Sequence, residues 1–228
     1  MNYSISIILP ILNEFNSLKK TIKILNKIKV EKEFIIILSK NLTKEKTKKN
    51  IIKLKKKFKK IKYYEQTRPF VGGAIDAGIQ KSKKKYIAIM ASDLETNPTE
   101  LNKMINLSMK NTDCIISADR WIVKNGFKNY GWIKFLSNFA FQKLIKFFYN
   151  YKISDFTFAY RIYPKNSLKN YKIKELRHGF TLEILLHPIK QGYKVISIPI
   201  KWKKREEGIS SVTFLSYISY LKVLFSNL

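Results

Sequence analysis

Runs of apolar, mostly β-branched residues alternate with longer amphipathic segments through the first half of the chain, and this alternation restricts the possible fold most strongly. The apolar runs predict five strands, at 4–9, 34–38, 62–66, 86–90 and 113–118. The segments between them repeat apolar residues every three or four positions, which predicts helices at 18–28, 43–60, 72–81 and 98–110. Such alternation is typical of an open, mostly parallel α/β sheet with helices on both faces. Ligands bind to such sheets at the carboxyl ends of the strands.

The second half of the chain is richer in aromatic residues. Apolar periodicity there predicts helices at 132–149, 180–191 and 212–225. The polar–aromatic segment 155–163 resembles a strand, and a further strand is predicted at 193–202. Because proline cannot donate a hydrogen bond inside a sheet, Pro199 indicates an edge or a bulge. The sequence contains no internal repeat and no low-complexity linker, so we expect one domain over 1–228, with halves at 1–120 and 121–228.

The formal net charge of +29 allows three interpretations. It is compatible with binding to nucleic acid or to an anionic membrane surface. It is also compatible with a compositional preference for lysine on solvated faces, since only five of the 45 basic residues are arginine. Where a chain that favours lysine still uses arginine, a planar cation with several donors is indicated. The five positions are Arg68, Arg120, Arg161, Arg177 and Arg205.

The single cysteine, Cys114, excludes an internal disulfide and fits a reducing compartment. The apolar run 5–12 lacks a basic leader and therefore does not resemble a signal peptide. No apolar run is as long as a membrane-spanning helix. We therefore expect a cytoplasmic protein, which can still contact a membrane from that side.

Two acids follow the strand at 86–90 directly, in the sequence MASDLETNP. In an extended segment, residues two apart point to the same side, so Asp93 and Glu95 are expected to converge on one hard cation. The alternative is an acidic turn, in which residues 96–98 cap the next helix. The acids and their spacing do not by themselves distinguish a metal site from such a turn.

Six segments in order give the chain its resemblance to a known family: IILPILNEFNSL (7–18), PFVGGAIDAGI (69–79), MASDLETNP (90–98), SADRW (117–121), SDFTFAYRIY (154–163) and PIKWKKREEGIS (199–210). With these segments the chain resembles the family 2 glycosyltransferases of GT-A fold. The resemblance is greatest to the branch of dolichol-phosphate mannose synthase and related polyprenyl-phosphate sugar transferases. It implies transfer of a sugar, with inversion, from a nucleotide diphosphate to an acceptor, a nucleotide-sugar site in 1–120 and an acceptor site in 121–228.

The resemblance also implies which residues hold the donor. Mg²⁺ or Mn²⁺ on the donor diphosphate is expected at Asp93 and Glu95. The residues expected to line the donor pocket are Pro10, Asn13, Glu14, Arg68, Gly72, Gly73, Ser92 and Asp93. Of these, Arg68 and the two glycines precede or open a helix, where backbone amides can bind an anion.

The acceptor is expected to be a polyprenyl phosphate or another lipid or cell-surface glycan. The resemblance implies that its phosphate binds to Arg120, Lys134, Arg161 and Arg205, of which the three arginines suit a grip with two nitrogens. The alternative for each of them is ordinary ion pairing at the surface. A phosphate is already ionised near neutral pH and needs no general base. A hydroxyl acceptor does need one, and Asp155 is the candidate. The predicted catalytic residues are thus Asp93, Asp155, Arg120 and Arg161, whereas His178 and His187 are interpreted as structural.

The chain departs from the family pattern at two places. It has Ala91 where the family normally has an acid, and 38–40 reads Leu-Ser-Lys where the family has one or two aspartates. An inactive scaffold of the same fold is therefore an alternative, and a basic nucleic-acid-binding protein is a second one, against which no stacking motif is found. The aromatic helix at 132–149 mixes anchors and cations, as interfacial helices do, so it predicts either core packing or peripheral membrane contact.

Overall fold

A computed structural model describes residues 2–149, 151–208 and 214–227. It contains a seven-stranded sheet in the order β3-β2-β1-β4-β7-β5-β8 and a separate two-stranded sheet of β6 and β9. The strands are β1 (Ser4–Ile11), β2 (Glu31–Ser39), β3 (Ile61–Gln66), β4 (Tyr86–Ile89), β5 (Cys114–Asp119), β6 (Phe127–Lys128), β7 (Arg161–Pro164), β8 (Lys194–Pro199) and β9 (Trp202–Lys203). The helices are α1 (Phe15–Asn26), α2 (Glu45–Lys57), α3 (Phe70–Lys81), α4 (Glu100–Lys110), α5 (Trp132–Phe148), α6 (Phe180–Lys190) and α7 (Phe214–Ser226).

The sheet is buried on both faces, which explains its continuous apolar strands. Strand β1 lies between β2 and β4, parallel to both, and Ile7 pairs with Phe34 on one side and Ala88 on the other. Alternate side chains of β1 enter two separate apolar clusters, one on each face of the sheet: Ile7 belongs to the first and Ile8 to the second. A one-residue shift of register would exchange these faces, so the burial pattern fixes the register. The predicted fold class, a mostly parallel sheet flanked by helices, is confirmed.

The prediction of a strand over 155–163 is wrong for its first six residues. The strand β7 begins only at Arg161, and it runs antiparallel between β4 and β5. Before it, the chain is held by side chains instead of a ladder: the Phe156 N–H donates to the Gln142 side-chain oxygen at 2.9 Å. Asp155 forms an ion pair with Arg120. These long-range bonds replace strand pairing in this segment.

The strand predicted at 193–202 is interrupted at its proline. Strand β8 lies at the edge of the sheet and ends at Pro199, as the missing N–H of proline requires. The chain then continues into the short strand β9, which pairs with β6 in the second sheet. The helix predicted at 212–225 is present as α7, while residues 212 and 213 lie outside the described residues. None of the helices in the described part of the chain has the length and apolar character needed to cross a membrane.

Candidate active site

The carboxyl ends of the parallel strands β1 to β4 meet at one edge of the sheet, where a cavity of about 1610 Å³ lies. Pockets for one small ligand measure about 300–1,000 Å³, so this cavity has room for two substrates. Of the residues predicted from the sequence, those that line it are Pro10, Glu14, Arg68, Ser92, Asp93, Glu95, Arg120, Lys134 and Arg205. Those that do not are Asn13, Gly72, Gly73, Asp155 and Arg161.

The two predicted metal ligands lie in a tight turn beyond β4. Leu94 between them has a φ of 61°, a left-handed backbone conformation that is uncommon for a residue with a side chain. The turn is closed by Asp93, whose Oδ1 accepts a hydrogen bond from the Glu95 N–H at 3.1 Å. The extended geometry predicted for this pair is therefore wrong, because β4 ends at Ile89. The turn, and not strand alternation, brings the two carboxylates together.

Both carboxylates face one positive group. Nη2 of Arg205 lies 3.2 Å from Oδ2 of Asp93 and 2.8 Å from Oε1 of Glu95. The indole N–H of Trp202 donates to Oε2 of Glu95 at 2.9 Å. Burial, and then the neighbouring charge of Glu95, raises the pKa of Asp93 to about 6. The turn therefore concentrates negative charge in a buried place, where a cation is favoured.

This set of oxygen atoms fits Mg²⁺ or Mn²⁺ in part. Mg²⁺ is commonly held by one or two carboxylates, with water and substrate phosphates as its other ligands. Over 2–149, 151–208 and 214–227, no group of three or more His, Cys, Asp or Glu side chains could hold a metal ion. Asp93 and Glu95 would supply two ligands and the donor diphosphate the others, once Arg205 has moved away from the carboxylates.

The segment Trp202–Gly208, here called the C-terminal strap, crosses the site and contacts α1. The side chain of Glu207 accepts a hydrogen bond from the Ser17 N–H at 2.9 Å, in the first turn of that helix. Gly208 has a φ of 85°, and a Cβ there would lie 2.5 Å from Oε1 of Glu14. The positive φ favours glycine at this position, and a side chain there would also have to displace the side chain of Glu14. The strap therefore lies against the side chain of Glu14, which also lines the cavity.

Arg120 and Asp155 form a buried ion pair. Nε of Arg120 lies 2.6 Å from Oδ2 of Asp155, and Nη2 lies 2.9 Å from Oδ1. The carboxylate, by its charge and its hydrogen bonds, outweighs the effect of burial and raises the pKa of Arg120. Asp155 is completely buried and does not line the cavity, so the prediction that it acts as a general base needs correction. It holds Arg120 at the cavity wall instead.

Arg161 also needs correction, because its side chain is completely buried and does not line the cavity. Each of its three nitrogens donates to a group of the protein. The acceptors are the hydroxyls of Ser117 and Tyr163 and the carbonyl oxygens of Thr181, Asp155 and Phe156. With these bonds Arg161 ties β7 to β5, to α6 and to the segment before it.

Two predicted donor residues hold the walls of the cavity by side-chain hydrogen bonds. Oδ1 of Asn13 accepts from the Lys44 N–H at 2.9 Å, and its Nδ2 donates to the Leu42 carbonyl at 3.1 Å. Asn13 thus fixes the loop between β2 and α2 and does not line the cavity. Arg68 does line it, but Nη1 of Arg68 also donates to Asp76 at 3.0 Å.

Gly72 and Gly73 both lie in closely packed places. The Gly72 N–H donates to the Leu176 carbonyl at 2.7 Å, so this amide is not available to a phosphate. A Cβ on Gly72 would lie 2.6 Å from the Glu175 carbonyl oxygen, and one on Gly73 would lie 2.3 Å from the Arg68 carbonyl oxygen. Gly72 allows α3 to pack directly against the segment before α6, and Gly73 allows the start of α3 to pack against the backbone of Arg68.

Several residues that sequence reasoning did not assign to the site line the cavity, among them Phe70, Arg177, His178, Trp202 and Tyr220. His178 was interpreted as structural, and it does contact Ser216 of α7, with Nδ1 2.9 Å from Oγ. Burial, followed by the charges of Arg205 and Arg177, lowers the pKa of His178 to about 4, so it is neutral at pH 7. Arg177 is one of the five arginines that the composition singles out, but no local pattern in the sequence distinguishes Phe70, His178, Trp202 or Tyr220 from core residues.

A mostly parallel sheet, with a two-substrate cavity at its carboxyl edge and an acidic turn after the fourth strand, defines a GT-A glycosyltransferase fold. The structural neighbours are of this class. The chain belongs to the family described as glycosyl transferase family 2, whose model matches residues 6–172. The family and the fold expected from the sequence are thereby confirmed.

Among characterised relatives, the chain is 26% identical over 142 residues to dolichyl-phosphate hexose transferase of Haloferax volcanii, covering 62% of this chain and 60% of the relative. It is 22% identical over 149 residues to polyprenol monophosphomannose synthase of Mycolicibacterium smegmatis, covering 63% and 56%. The matches therefore span less than two thirds of either relative's length.

Among solved structures, glucosyl-3-phosphoglycerate synthase from Mycobacterium tuberculosis, in complex with Mn²⁺, UDP-glucose and phosphoglyceric acid, superimposes with a TM-score of 0.76. The superposition covers 99% of this chain and 79% of that one at 13% sequence identity. The same enzyme with Mg²⁺ and UDP gives a TM-score of 0.72. At this identity the likeness shows the fold.

Proposed function

We propose that the chain is an inverting glycosyltransferase that moves a sugar from a nucleotide-diphosphate donor to a polyprenyl phosphate at the cytoplasmic face of a membrane. The observation that carries this proposal is that Asp93 and Glu95 both contact the guanidinium of Arg205 at the carboxyl edge of the sheet. Their carboxylates are therefore close enough to share one cation. The cavity beside them has room for a second substrate. The names of the two relatives, both enzymes of polyprenyl or dolichyl phosphate, support the choice of acceptor.

On the donor side, the acidic turn would hold Mg²⁺ or Mn²⁺ against the diphosphate, which neutralises the charge of the leaving group. Pro10 and Glu14 lie at the end of β1 and line the same cavity as Asp93. The strap lies against Glu14, so we infer that it moves when the donor enters. Arg205 then leaves the two carboxylates and is available to the phosphate oxygens.

On the acceptor side, the cations that line the cavity include Lys134 and Arg120. An ionised phosphate oxygen attacks the anomeric carbon, and the bond from that carbon to the donor phosphate oxygen breaks. The electron pair leaves with the nucleoside diphosphate, and no proton is transferred. This chemistry requires positioning and charge neutralisation without a general base. It agrees with the position of Asp155, whose carboxylate is held by Arg120.

Two helices beside the cavity pack on the core through apolar residues such as Ile145 and Leu224, yet they also bury polar side chains and expose large apolar ones. In α5, the amides of Asn138 and Gln142 are buried and bonded to each other at 2.8 Å. Trp132 and Phe147 of the same helix are 76% and 83% exposed. In α7, two serines are buried while four large apolar side chains are exposed, namely Leu215, Ile218, Leu221 and Phe225. We infer that these faces lie on a lipid leaflet.

The cations on the same helices support this orientation. Lysines 134, 143 and 146 of α5 and Lys222 of α7 accompany the apolar side chains. Phe148 and Phe225 are in contact, with ring centroids 6.0 Å apart, which joins the two helices into one surface. Lysine beside exposed aromatic side chains suits an anionic membrane surface. Lys134, Ser216 and Tyr217 of these helices also line the cavity, so a lipid-borne phosphate could enter from this side.

The first test combines binding and transfer. UDP-, GDP- and CMP-sugars are added with Mg²⁺ or Mn²⁺, and the cognate donor is expected to raise the Tm by roughly 5–10 °C at about 100 times its Kd. Transfer of labelled sugar to a polyprenyl phosphate in detergent is then measured. Asp93→Asn is expected to lose transfer, whereas the exposed control Asp113→Asn retains it. The proposal fails if no nucleotide sugar changes the Tm with either metal.

A further inference from the structure

Phe70 is a strained residue on the wall of the cavity. It begins α3 with a φ of 59°, in the left-handed region where a bulky residue is an outlier and glycine is favoured. Burial of the ring does not compensate for this strain, because the side chain is 49% exposed. A strained backbone conformation persists only where the surrounding structure enforces it, and such residues are concentrated at ligand-binding sites. Packing therefore does not account for an aromatic residue at this position.

The surrounding backbone holds Phe70 rigidly. The side-chain amide of Gln66 donates to the carbonyl of Arg68 at 2.7 Å and to that of Phe70 at 3.1 Å. The Gly72 N–H donates to the carbonyl of Leu176, which binds the start of α3 to the segment before α6. The backbone of Phe70 is therefore fixed in the free protein.

The hydrogen bond between Gly72 and Leu176 holds the next residue, Arg177, beside the phenyl ring of Phe70. Its guanidinium carbon lies 4.1 Å from the ring centroid of Phe70, a cation–π contact. The Arg177 N–H donates to the side chain of Glu175 at 2.8 Å, which fixes the backbone of this segment. Phe70 and Arg177 both line the cavity. A ring with a cation behind it and about half of its surface exposed is suited to stacking.

We propose that Phe70, backed by Arg177, is the stacking platform for a ring of the donor substrate. This inference rests on the proposed function. The ligand is a flat ring face, which either the nucleobase or the hexose of a nucleotide sugar supplies. Stacking of a base on an aromatic side chain corresponds to at least about a fivefold gain in affinity. The platform explains why the chain keeps a strained Phe where a glycine would be relaxed.

The test measures the Kd of UDP, GDP, UDP-glucose and GDP-mannose by calorimetry in the presence of Mg²⁺. Phe70→Leu keeps an apolar side chain without the ring and is expected to weaken binding at least about fivefold, whereas Phe70→Tyr keeps the affinity of the wild type. Weaker binding of nucleotides and nucleotide sugars alike assigns the nucleobase to the platform. Weaker binding of the nucleotide sugars alone assigns the hexose.

Phe70→Gly separates binding from folding. It relieves the strain, so the Tm of the free protein is expected to equal or exceed that of the wild type while binding weakens as in Phe70→Leu. A Tm several degrees lower with unchanged affinity would show that the ring serves folding and would overturn the inference. So would a Phe70→Leu variant that binds every probe within twofold of the wild type. If the wild type itself binds none of the four probes, it is the proposed function that fails, and the inference with it.

Discussion

Nη2 of Arg205 lies 2.8 Å from Oε1 of Glu95, so the acidic turn already has a counter-ion that belongs to the chain. The same nitrogen is 3.2 Å from Asp93. A divalent ion that binds here must displace an arginine, and the arginine that it displaces can neutralise a second charge nearby. This relationship couples the proposed metal site to the strap, because Arg205 belongs to the strap and contacts both carboxylates.

The first prediction concerns metal binding. Arg205→Gln removes the competing cation and is expected to tighten binding of Mn²⁺ to the free protein by roughly tenfold, since a hydrogen-bonded charge pair contributes about 1.5–3 kcal/mol. Asp93→Asn is expected to weaken binding of Mn²⁺. Titration followed by electron paramagnetic resonance measures both, with Lys203→Gln in the strap as control. Equal affinity of Arg205→Gln and the wild type would contradict the displacement of Arg205.

The second prediction concerns the buried ion pair. Arg120→Ala leaves the carboxylate of Asp155 buried without a partner and is expected to lower the free energy of unfolding by about 3–5 kcal/mol. Urea denaturation measures this difference. Lys103→Ala removes the partner of Glu100 in a pair whose lysine is 66% exposed, and no comparable loss is expected there. If Arg120→Ala is as stable as Lys103→Ala, Asp155 does not depend on Arg120.

The third prediction concerns stability in acid. Because the pKa of His178 is lowered from 6.5 to about 4, the folded state binds fewer protons than the unfolded state between these values. Its contribution to stability is therefore complete above pH 6.5 and is lost as the pH falls towards 4. His178→Gln is expected to flatten the decrease of the free energy of unfolding over this window. His187→Gln, whose pKa is lowered by burial to a smaller extent, is expected to flatten it less.

The fourth prediction concerns the exposed faces of α5 and α7. Trp132→Asp and Phe147→Asp each remove a side chain whose insertion contributes about 2 kcal/mol, so each is expected to reduce binding to vesicles that contain phosphatidylglycerol by roughly 30-fold. Co-sedimentation with such vesicles measures the binding. Ile52→Asp, which removes an exposed apolar side chain from α2, is expected to bind as the wild type does. An equal loss of vesicle binding in all three variants would show that the added negative charge causes the loss, and it would contradict insertion of Trp132 and Phe147.

Local sequence patterns predicted the framework of the site. The strand that ends before Asp93 and Glu95 follows from a run of apolar residues, and parallel strands bring their carboxyl ends together. The same patterns misplaced Asp155 and Arg161, since a polar residue in an irregular segment looks the same whether it faces a ligand or a buried partner. Phe70 was missed because backbone strain has no signature in a list of residue types.

The sequence by itself determined the alternating α/β sheet, its family and the position of the acidic turn, because these depend on periodicity and on short ordered segments. Only the tertiary structure decided which of the five arginines face the cavity. Arg161 is completely buried, Arg120 is held by a residue 35 positions away, and Arg205 reaches an acid 110 positions away. The energy of a charged side chain is set by its partners and its burial, and both come from distant parts of the chain that meet only when it has folded.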